Sequence, residues 1–227
     1  MRSYGQICGI AKALEVIGDR WTLLLIRELL TRGPCRYTDL RNGLPGIATN
    51  LLAQRLRELE RAEVIRSEEA LPPAAGTLYL LTERGQALEP IVKAIGDWGI
   101  PLLNDVADDD VFQTHWLLLP LRSDLEDTAP ERGPVEIQLD AEDDPIVVEA
   151  VDGTVNAYVG RAQNPALVLH GSGRTITRLL FGRITLAEAR RRGLRIDGDP
   201  GQLKRFRLKL NATAESTVSS SHVPSGR

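Results

Sequence analysis

Apolar and polar positions follow the period of an α-helix along most of the first hundred residues. The most regular stretch runs from Leu44 to Ile65, and its leucines fall in one sector of a helical wheel. The opposite sector is polar and holds Asn50, Gln54, Arg57 and Arg61. Pro45 and Gly46 end the preceding segment, and the Thr49 hydroxyl is placed to cap the new helix. The pattern predicts a turn followed by a helix with one buried and one exposed face.

Three further helical segments precede this one. Apolar residues spaced 3, 4, 3 predict a first helix from Ile7 to Ile17, and Asp19 is the expected cap of a second. In the second helix we expect these side chains to turn inward: Trp21, Leu24, Leu25, Leu29 and Leu30. A short third helix is expected from Arg36 to Arg41. Helices joined by tight turns, the last with a polar outer face, form a helix-turn-helix.

The pattern then changes to two short β-prone runs, Val64 to Ser67 and Thr77 to Leu81, which flank a loop rich in Pro, Ala and Gly. This arrangement predicts a β-hairpin, and a helix-turn-helix followed by a hairpin is a winged helix. One long helix, kinked at Pro90, is expected from Glu83 to Leu103.

Apolar residues on that long helix recur at spacings of three and four, as in helices that pack on another helix. Burial against the chain's own core and burial in a dimer explain the spacing equally well. A homodimer suits a DNA-binding protein, because two-fold symmetry doubles the site that one helix reads. The candidate dimer contacts are Ile7, Ile10, Leu14, Ile91, Ile95, Trp98 and Leu102.

The polar face of the helix after Pro45 suits the major groove of double-stranded DNA, where amides read adenine and arginine reads guanine. An ordinary solvated surface helix has the same pattern. The net charge of −3 requires any basic surface to be local. The candidate DNA contacts are Arg36, Thr49, Asn50, Ala53, Gln54, Arg57 and Arg66.

The first 103 residues contain several motifs in order: Ile17-Gly18-Asp19-Arg20-Trp21, Arg36-Tyr37-x-x-Leu40, Leu44-Pro45-Gly46-Ile47, Leu81-Thr82-Glu83-x-Gly85 and Trp98-Gly99, with Cys8 near the start. With these motifs, Met1 to Leu103 resembles the HxlR-type winged helix-turn-helix regulators. The resemblance implies a homodimer formed by the first and last helices, a recognition helix in the major groove and palindromic operators. Gly9 and Ala48 depart from the Pro and Ser usual in that family.

The second half has a different pattern. Residues 104–111 form an acidic run typical of a linker, and residues 112–213 then alternate strand-like and helical stretches. Asp152-Gly153 is a hairpin signal, and a closing helix is expected from Gly201 to Leu210. We predict an α+β fold for the whole chain: a winged-helix domain, then an α+β domain with an antiparallel sheet, then a disordered tail over residues 214–227.

The second domain contains the motifs Asn164-Pro165-x-Leu167-x-Leu169, Thr185-x-x-Glu188-Ala189 and Ile196-x-Gly198-Asp199. With these residues, it resembles the sterol-carrier-protein type of lipid-binding fold. The resemblance implies an apolar cavity that holds a hydrophobic small ligand. Candidate lining residues, for each of which an ordinary core position is the alternative, are Trp116, Leu179, Leu180, Phe181 and Phe206.

The sequence offers few reactive groups. Two cysteines without CxxC spacing and three scattered histidines predict neither a disulfide framework nor a metal site, and no cofactor motif is present. No nucleophile, base and orienting group can be assembled, so we expect no enzyme. Some members of the HxlR-type family sense oxidants through the N-terminal cysteine that Cys8 matches. A small buried hydrophobic residue is the alternative role for Cys8.

These patterns predict a cytoplasmic, dimeric repressor on a palindromic operator, modulated by a hydrophobic ligand in the second domain and without a membrane partner. Two alternatives stay open: a lipid or acyl-chain carrier whose winged helix serves protein contacts, and a redox-sensing regulator acting through Cys8.

Overall fold

The computed structural model describes residues 3–70, 76–105, 110–141 and 143–209. Buried apolar side chains form two clusters, one drawn from Ile17 to Ile65 and the other from Leu117 to Leu194. Each cluster is enclosed by its own helices and strands. Residues 106–109, within the expected linker, and the expected tail lie outside the described residues.

The first unit combines six helices with a small antiparallel sheet. Its helices are α1 (Gly9–Ile17), α2 (Thr22–Arg32), α3 (Tyr37–Gly43), α4 (Thr49–Arg61), α5 (Glu83–Gln86) and α6 (Glu89–Gly99). Its strands are β1 (Cys35–Arg36), β2 (Ile65–Glu69) and β3 (Thr77–Leu81), in the order β1-β3-β2. Strands β2 and β3 form the expected hairpin, whose tip at residues 71–75 lies outside the described residues. The winged helix-turn-helix arrangement predicted from the sequence is present.

Three local expectations for this unit are wrong. The single helix over Glu83–Leu103 is divided into α5, α6 and a 3-10 helix, Ile100–Asp105, because Pro90 lies in the first turn of α6, where its missing N–H costs nothing. Asp19 does not cap α2: Trp21 precedes that helix in the left-handed region with φ 78°. Leu24 is exposed rather than turned inward, whereas Ile26 is fully buried.

The second unit packs short helices on a five-stranded sheet. The helices are α7 (Leu118–Asp124), α8 (Gly173–Leu180) and α9 (Leu186–Arg191), with 3-10 helices at Thr114–Leu117, Pro130–Arg132 and Pro200–Arg205. The main-sheet strands are β5 (Val135–Asp140), β6 (Ile146–Val151), β7 (Thr154–Val159), β8 (Leu167–His170) and β9 (Arg195–Gly198), in the order β7-β6-β5-β8-β9. Strands β4 (Leu125–Asp127) and β10 (Phe206–Leu208) pair separately.

Two features of this unit differ from the sequence prediction. The sheet is mixed rather than antiparallel, because the chain crosses from β7 to β8 and places β8 parallel to β5. The expected closing helix over Gly201–Leu210 is instead a 3-10 turn followed by β10. Arg205 explains the second difference: its buried guanidinium donates to both carboxylate oxygens of Asp127 at 2.7 and 2.6 Å, which holds the segment beside β4.

No helix in the described part of the chain is long and apolar enough to cross a membrane. Among the same residues, no group of three or more His, Cys, Asp or Glu side chains is arranged to hold a metal ion.

Candidate nucleic-acid interface

Helix α4 presents the polar face that the sequence predicts. Leu52, Leu56 and Leu59 are buried in the core of the winged-helix unit. The exposed side carries Asn50, Gln54, Arg57 and Arg61, while Ala53 between them is partly buried. A helix fixed by one apolar face and open on the other can enter a groove without rearranging its core.

The start of α4 differs from the prediction. Ala48, not Thr49, occupies the cap position, and its side chain makes no capping hydrogen bond. Thr49 is the first helical residue and is exposed; its carbonyl oxygen accepts a hydrogen bond from the Tyr37 hydroxyl at 2.8 Å. The helix therefore begins with backbone N–H groups that its own side chains do not cap, and such groups favour an anion such as a DNA phosphate.

The charges along α4 are unevenly compensated. Arg55 pairs with Asp19 and Glu58, so its charge is compensated within the protein. Gln54 donates from Nε2 to Oε1 of Glu58 at 2.9 Å, an exposed contact that must open before the amide can reach a base. Within the described residues, no carboxylate lies within ion-pair distance of Arg57. Arg57 is therefore an unpaired cation on this face.

The wing offers less positive charge than the helix. Arg66 on β2 pairs with Glu68, and Glu68 and Glu69 are both exposed. Arg36, at the end of β1, extends toward the start of β3. A Cβ atom added at Gly76 would lie 3.2 Å from its Nη1. Arg36 and Arg66 thus lie on the two edge strands, β1 and β2, of the three-stranded sheet.

Comparison with known proteins identifies this part of the chain. A family model described as HxlR-like helix-turn-helix matches residues 16–106. The HTH-type regulator YdeP of Bacillus subtilis is 37% identical over 94 residues, which cover 40% of this chain and 71% of YdeP. The chain belongs to the HxlR-like helix-turn-helix family. It is accordingly a DNA-binding transcriptional regulator, as the sequence motifs predict.

Two further relatives extend the comparison. YodB, an HTH-type transcriptional regulator of Bacillus subtilis, is 33% identical over 86 residues, which cover 38% of this chain and 76% of YodB. The solved structure of the redox regulator HypR in its reduced form has 30% identity and a TM-score of 0.39, and covers 44% of this chain and 100% of HypR. The family model ends at residue 106, before the second unit begins.

The candidate dimer contacts of the HxlR-like domain are exposed in the single chain. Ile10 on α1 is 73% exposed, Trp98 on α6 is 76% exposed and Leu102 in the following 3-10 helix is 63% exposed. The remaining candidates are also exposed: Ile7, Leu14, Ile91 and Ile95. Ile7 precedes α1 instead of lying within it. Large apolar side chains exposed in such number mark an interaction surface.

Cys8 of the HxlR-like domain is exposed and occupies the cap position of α1. The backbone N–H groups of Ala11 and Ile10 at the start of α1 lower the pKa of its thiol. Lys12, the nearby cation in the sequence, is instead paired with Glu15 at 3.0 Å. Burial raises the pKa of the other thiol, Cys35, to about 12. The two cysteines therefore differ strongly in expected reactivity.

The five candidate ligand-binding residues of the second unit do not form one group. Leu179, Leu180, Phe181 and Phe206 are partly buried and pack against its hydrophobic core. Trp116 lies at the contact between the two units, where its ring stacks under the Arg27 guanidinium at 4.2 Å. The hydrophobic ligand and the sterol-carrier resemblance stay predictions.

Sequence reasoning missed the polar contact that joins the HxlR-like domain to the second unit. Glu28 on α2 is fully buried; its Oε2 lies 2.6 Å from Nε2 of His115, and its Oε1 accepts from Trp116 Nε1 at 2.8 Å. Arg27 and Arg32 flank the carboxylate, and Arg32 also pairs with Asp144. We name Arg27, Glu28, Arg32, His115, Trp116 and Asp144 the interdomain cluster. A charged residue within the apolar run of α2 was its only sequence signal.

The interdomain cluster also touches the helix-turn-helix. A Cβ atom at Gly43, the last residue of α3, would lie 2.1 Å from Oε2 of Glu28. Next to it, the carbonyl oxygen of Asn42 accepts a hydrogen bond from Gln113 Nε2 at 2.8 Å. The second unit therefore contacts the end of α3, just before the turn that leads into α4.

Proposed function

We propose that this regulator binds a palindromic operator as a homodimer and represses transcription there. The exposed polar face of α4, with Arg57 unpaired on it, is the observation that carries the proposal. Asn50, Gln54 and Arg57 are the proposed base-reading residues, with Thr49 and Ala53 at the groove surface. Arg36 and Arg66 are the proposed phosphate contacts.

Helix α6 supports the dimer. Lys93 and Asp97 lie on the side of α6 opposite Ile91, Ile95 and Trp98, given 100° per residue. Lys93 pairs with Asp124 of the second unit at 2.8 Å and with Asp97 at 2.7 Å. The second unit thus packs against the polar side of α6 and leaves its apolar side open for a second copy of the chain.

The test is an anisotropy titration of a labelled duplex from the gene's own upstream region, beside a scrambled duplex of equal length, at two salt concentrations. We expect tight binding to the first duplex, with a stoichiometry of two chains, and weak salt-sensitive binding to the second. Equal, weak binding to every duplex taken from the neighbouring intergenic regions would contradict the proposal and favour the lipid-carrier alternative. Deletion of the gene should raise expression of a reporter placed behind the bound region; a fall would make the protein an activator.

Redox sensing through Cys8 is the second candidate. Its support is the exposed thiol at the start of α1, held at a lowered pKa by two backbone N–H groups, beside the proposed dimer contact Ile10. Treatment with diamide should change operator affinity in the wild type and not in Cys8→Ser. An equal response in both proteins would rule out Cys8 as the sensor.

A further inference from the structure

A cleft separates the two units where the end of α2 faces α7 and β7. Its volume is about 410 Å³, within the range of small-molecule sites. The wall from the HxlR-like domain is the end of α2 with the turn into β1, residues 30–35, together with Asp39. The opposite wall consists of Arg122 on α7 with Tyr158 and Val159 on β7. A molecule in this cleft would touch both units at once.

Arg122 is the most unusual group in the cleft. Its half-buried guanidinium donates only to carbonyl oxygens: Nε to Ala157 at 2.6 Å, Nη1 to Leu30 at 3.1 Å and Nη2 to Thr31 at 3.4 Å. A guanidinium has five N–H donors, so each terminal nitrogen retains one more. No carboxylate of the described residues is within ion-pair distance, and Glu89 acts on this charge only from further away. A partly buried cation without a counterion favours an anion.

The other ionisable groups of the cleft are already matched. Arg32 pairs with Asp144, although its buried Nε has no hydrogen-bond partner. The carboxylate of Asp39 accepts from the backbone N–H of Arg36 at 2.9 Å in the first turn of α3, a favourable position for a negative charge. Cys35 carries an uncharged thiol. The unmatched charge on the lining is therefore that of Arg122.

The lining also includes apolar surface next to its polar groups. Leu30, Pro34 and Val159 contribute aliphatic surface, and Tyr158 contributes an aromatic ring with a hydroxyl group. An inorganic anion would leave this surface wet, whereas an organic acid would cover it and gain from its burial.

We propose that the interdomain cleft binds a small organic carboxylate with an apolar body. Its carboxylate accepts from the free N–H groups of Arg122, and its body lies against Leu30, Pro34, Tyr158 and Val159. The bound acid is then an effector, a consequence that rests on the proposed regulatory function. By filling the space between α7 and the α2–β1 turn it changes how the second unit packs on the helix-turn-helix.

The binding test uses the full chain without DNA, so it is independent of operator binding. Isothermal titration calorimetry compares benzoate with benzamide, which has the same shape and no charge. Benzoate should bind and benzamide should bind at least about tenfold more weakly, because a charge-assisted hydrogen bond is lost. No heat with benzoate at millimolar concentration, or equal affinity for the two compounds, would overturn the proposal.

Three variants locate the site. Arg122→Gln should weaken benzoate binding about tenfold or more. Because Arg122 also bonds to both units, Val159→Trp provides a second test: it fills the cleft, keeps the guanidinium and should abolish binding. The matched control is Arg178→Gln, an exposed arginine on α8, which should leave the affinity unchanged. Unaltered affinity in Val159→Trp would place the benzoate elsewhere and refute the assignment.

A final measurement separates the two proposals. If benzoate binds in the cleft and none of the intergenic duplexes is bound selectively, the regulatory function fails while the site stands. If the duplex is bound and benzoate is not, the site fails while the regulatory function stands.

Discussion

Nε2 of His115 lies 2.6 Å from Oε2 of Glu28, and both side chains are fully buried. On the other side of the ring, Nδ1 lies 3.0 Å from Nη2 of Arg32. Because arginine only donates, Nδ1 accepts and the ring proton is on Nε2, which donates to Glu28. A neutral histidine therefore links a carboxylate and a guanidinium across the domain contact. The hydrogen bonds of the two units are interdependent at this point.

Glu28→Gln should lower the free energy of unfolding by about 2 kcal/mol, because charge-assisted hydrogen bonds from His115, Trp116 and Arg27 weaken together. Urea unfolding followed by tryptophan fluorescence measures the loss, since Trp116 reports on the contact itself. Glu69→Gln, an exposed carboxylate on β2, is the control and should be neutral within about 0.5 kcal/mol. Equal stability of the two variants would contradict the structural role of Glu28.

The same contact predicts a dependence on pH. Burial raises the pKa of Glu28, but the hydrogen bond from His115 and the charge of Arg27 outweigh it, and the pKa lies below its ordinary value. A carboxyl with a depressed folded-state pKa stabilises the protein above its unfolded pKa of about 4.3 and loses this contribution as the pH falls through the folded value. The stability difference between wild type and Glu28→Gln should therefore be constant near neutral pH and shrink in acid. A difference that grows in acid would mean that Glu28 is protonated in the native state.

Substitutions on α4 should separate specificity from general affinity. Gln54→Ala and Arg57→Ala should each cost about 1–3 kcal/mol of discrimination between operator and scrambled duplex. Arg36→Ala should weaken binding to both duplexes alike and reduce the slope of affinity against salt by about 1. Anisotropy titrations over a salt series measure both effects. Discrimination that survives in the Gln54→Ala, Arg57→Ala double variant would remove these residues from base recognition.

The apolar side of α6 should be needed for assembly. Trp98→Glu should raise the dimer dissociation constant at least about tenfold, because it places a charge on a surface that the dimer buries. Sedimentation equilibrium gives the dissociation constant. Val151→Glu is the control, because Val151 is an exposed apolar residue of the β6–β7 hairpin in the second unit. This variant should leave the dimer dissociation constant unchanged. The same mass for wild type and Trp98→Glu at every concentration would place the interface elsewhere.

The two thiols should be chemically distinguishable. At neutral pH iodoacetamide should alkylate Cys8 and leave Cys35 unmodified in the native protein, because one thiol is exposed with a lowered pKa and the other is buried with a pKa of about 12. Mass spectrometry after brief alkylation reads the two sites separately. The alkylation rate of Cys8 should remain high below the pH at which an ordinary thiol slows. Faster alkylation of Cys35 would contradict the burial at β1.

The winged-helix unit was predictable because its local signals agree with one another. The leucine spacing of α4, the Pro45-Gly46 turn before it and the paired β-prone runs after it each specify the same arrangement. The errors arose where backbone geometry overrides composition. Trp21 adopts a positive φ, which nothing in the residue type indicates, and Asp19 is therefore removed from the cap position and pairs with Arg55.

The five strands of the main sheet in the second unit were predictable, but their order was not, and the separate pair β4 and β10 was missed. The parallel pairing of β5 with β8 depends on a crossover that local patterns do not encode. The interdomain cluster could not be predicted from local patterns either. Glu28 and His115 are 87 residues apart in the sequence, and only the packed structure brings them together. The exposed polar face of α4 was predictable because the faces of a helix follow from residue spacing alone.

Gly43 sets a rule for how this sequence can vary. While Glu28 remains ionised and bonded to His115, position 43 has no room for a side chain, since any Cβ there would overlap the carboxylate. We therefore expect three residues to co-vary among relatives of this chain: glycine at 43, glutamate at 28 and histidine at 115. Without His115, the Glu28 carboxylate would lose the contact that fixes its Oε2 against position 43, and a side chain there would no longer meet a fixed neighbour.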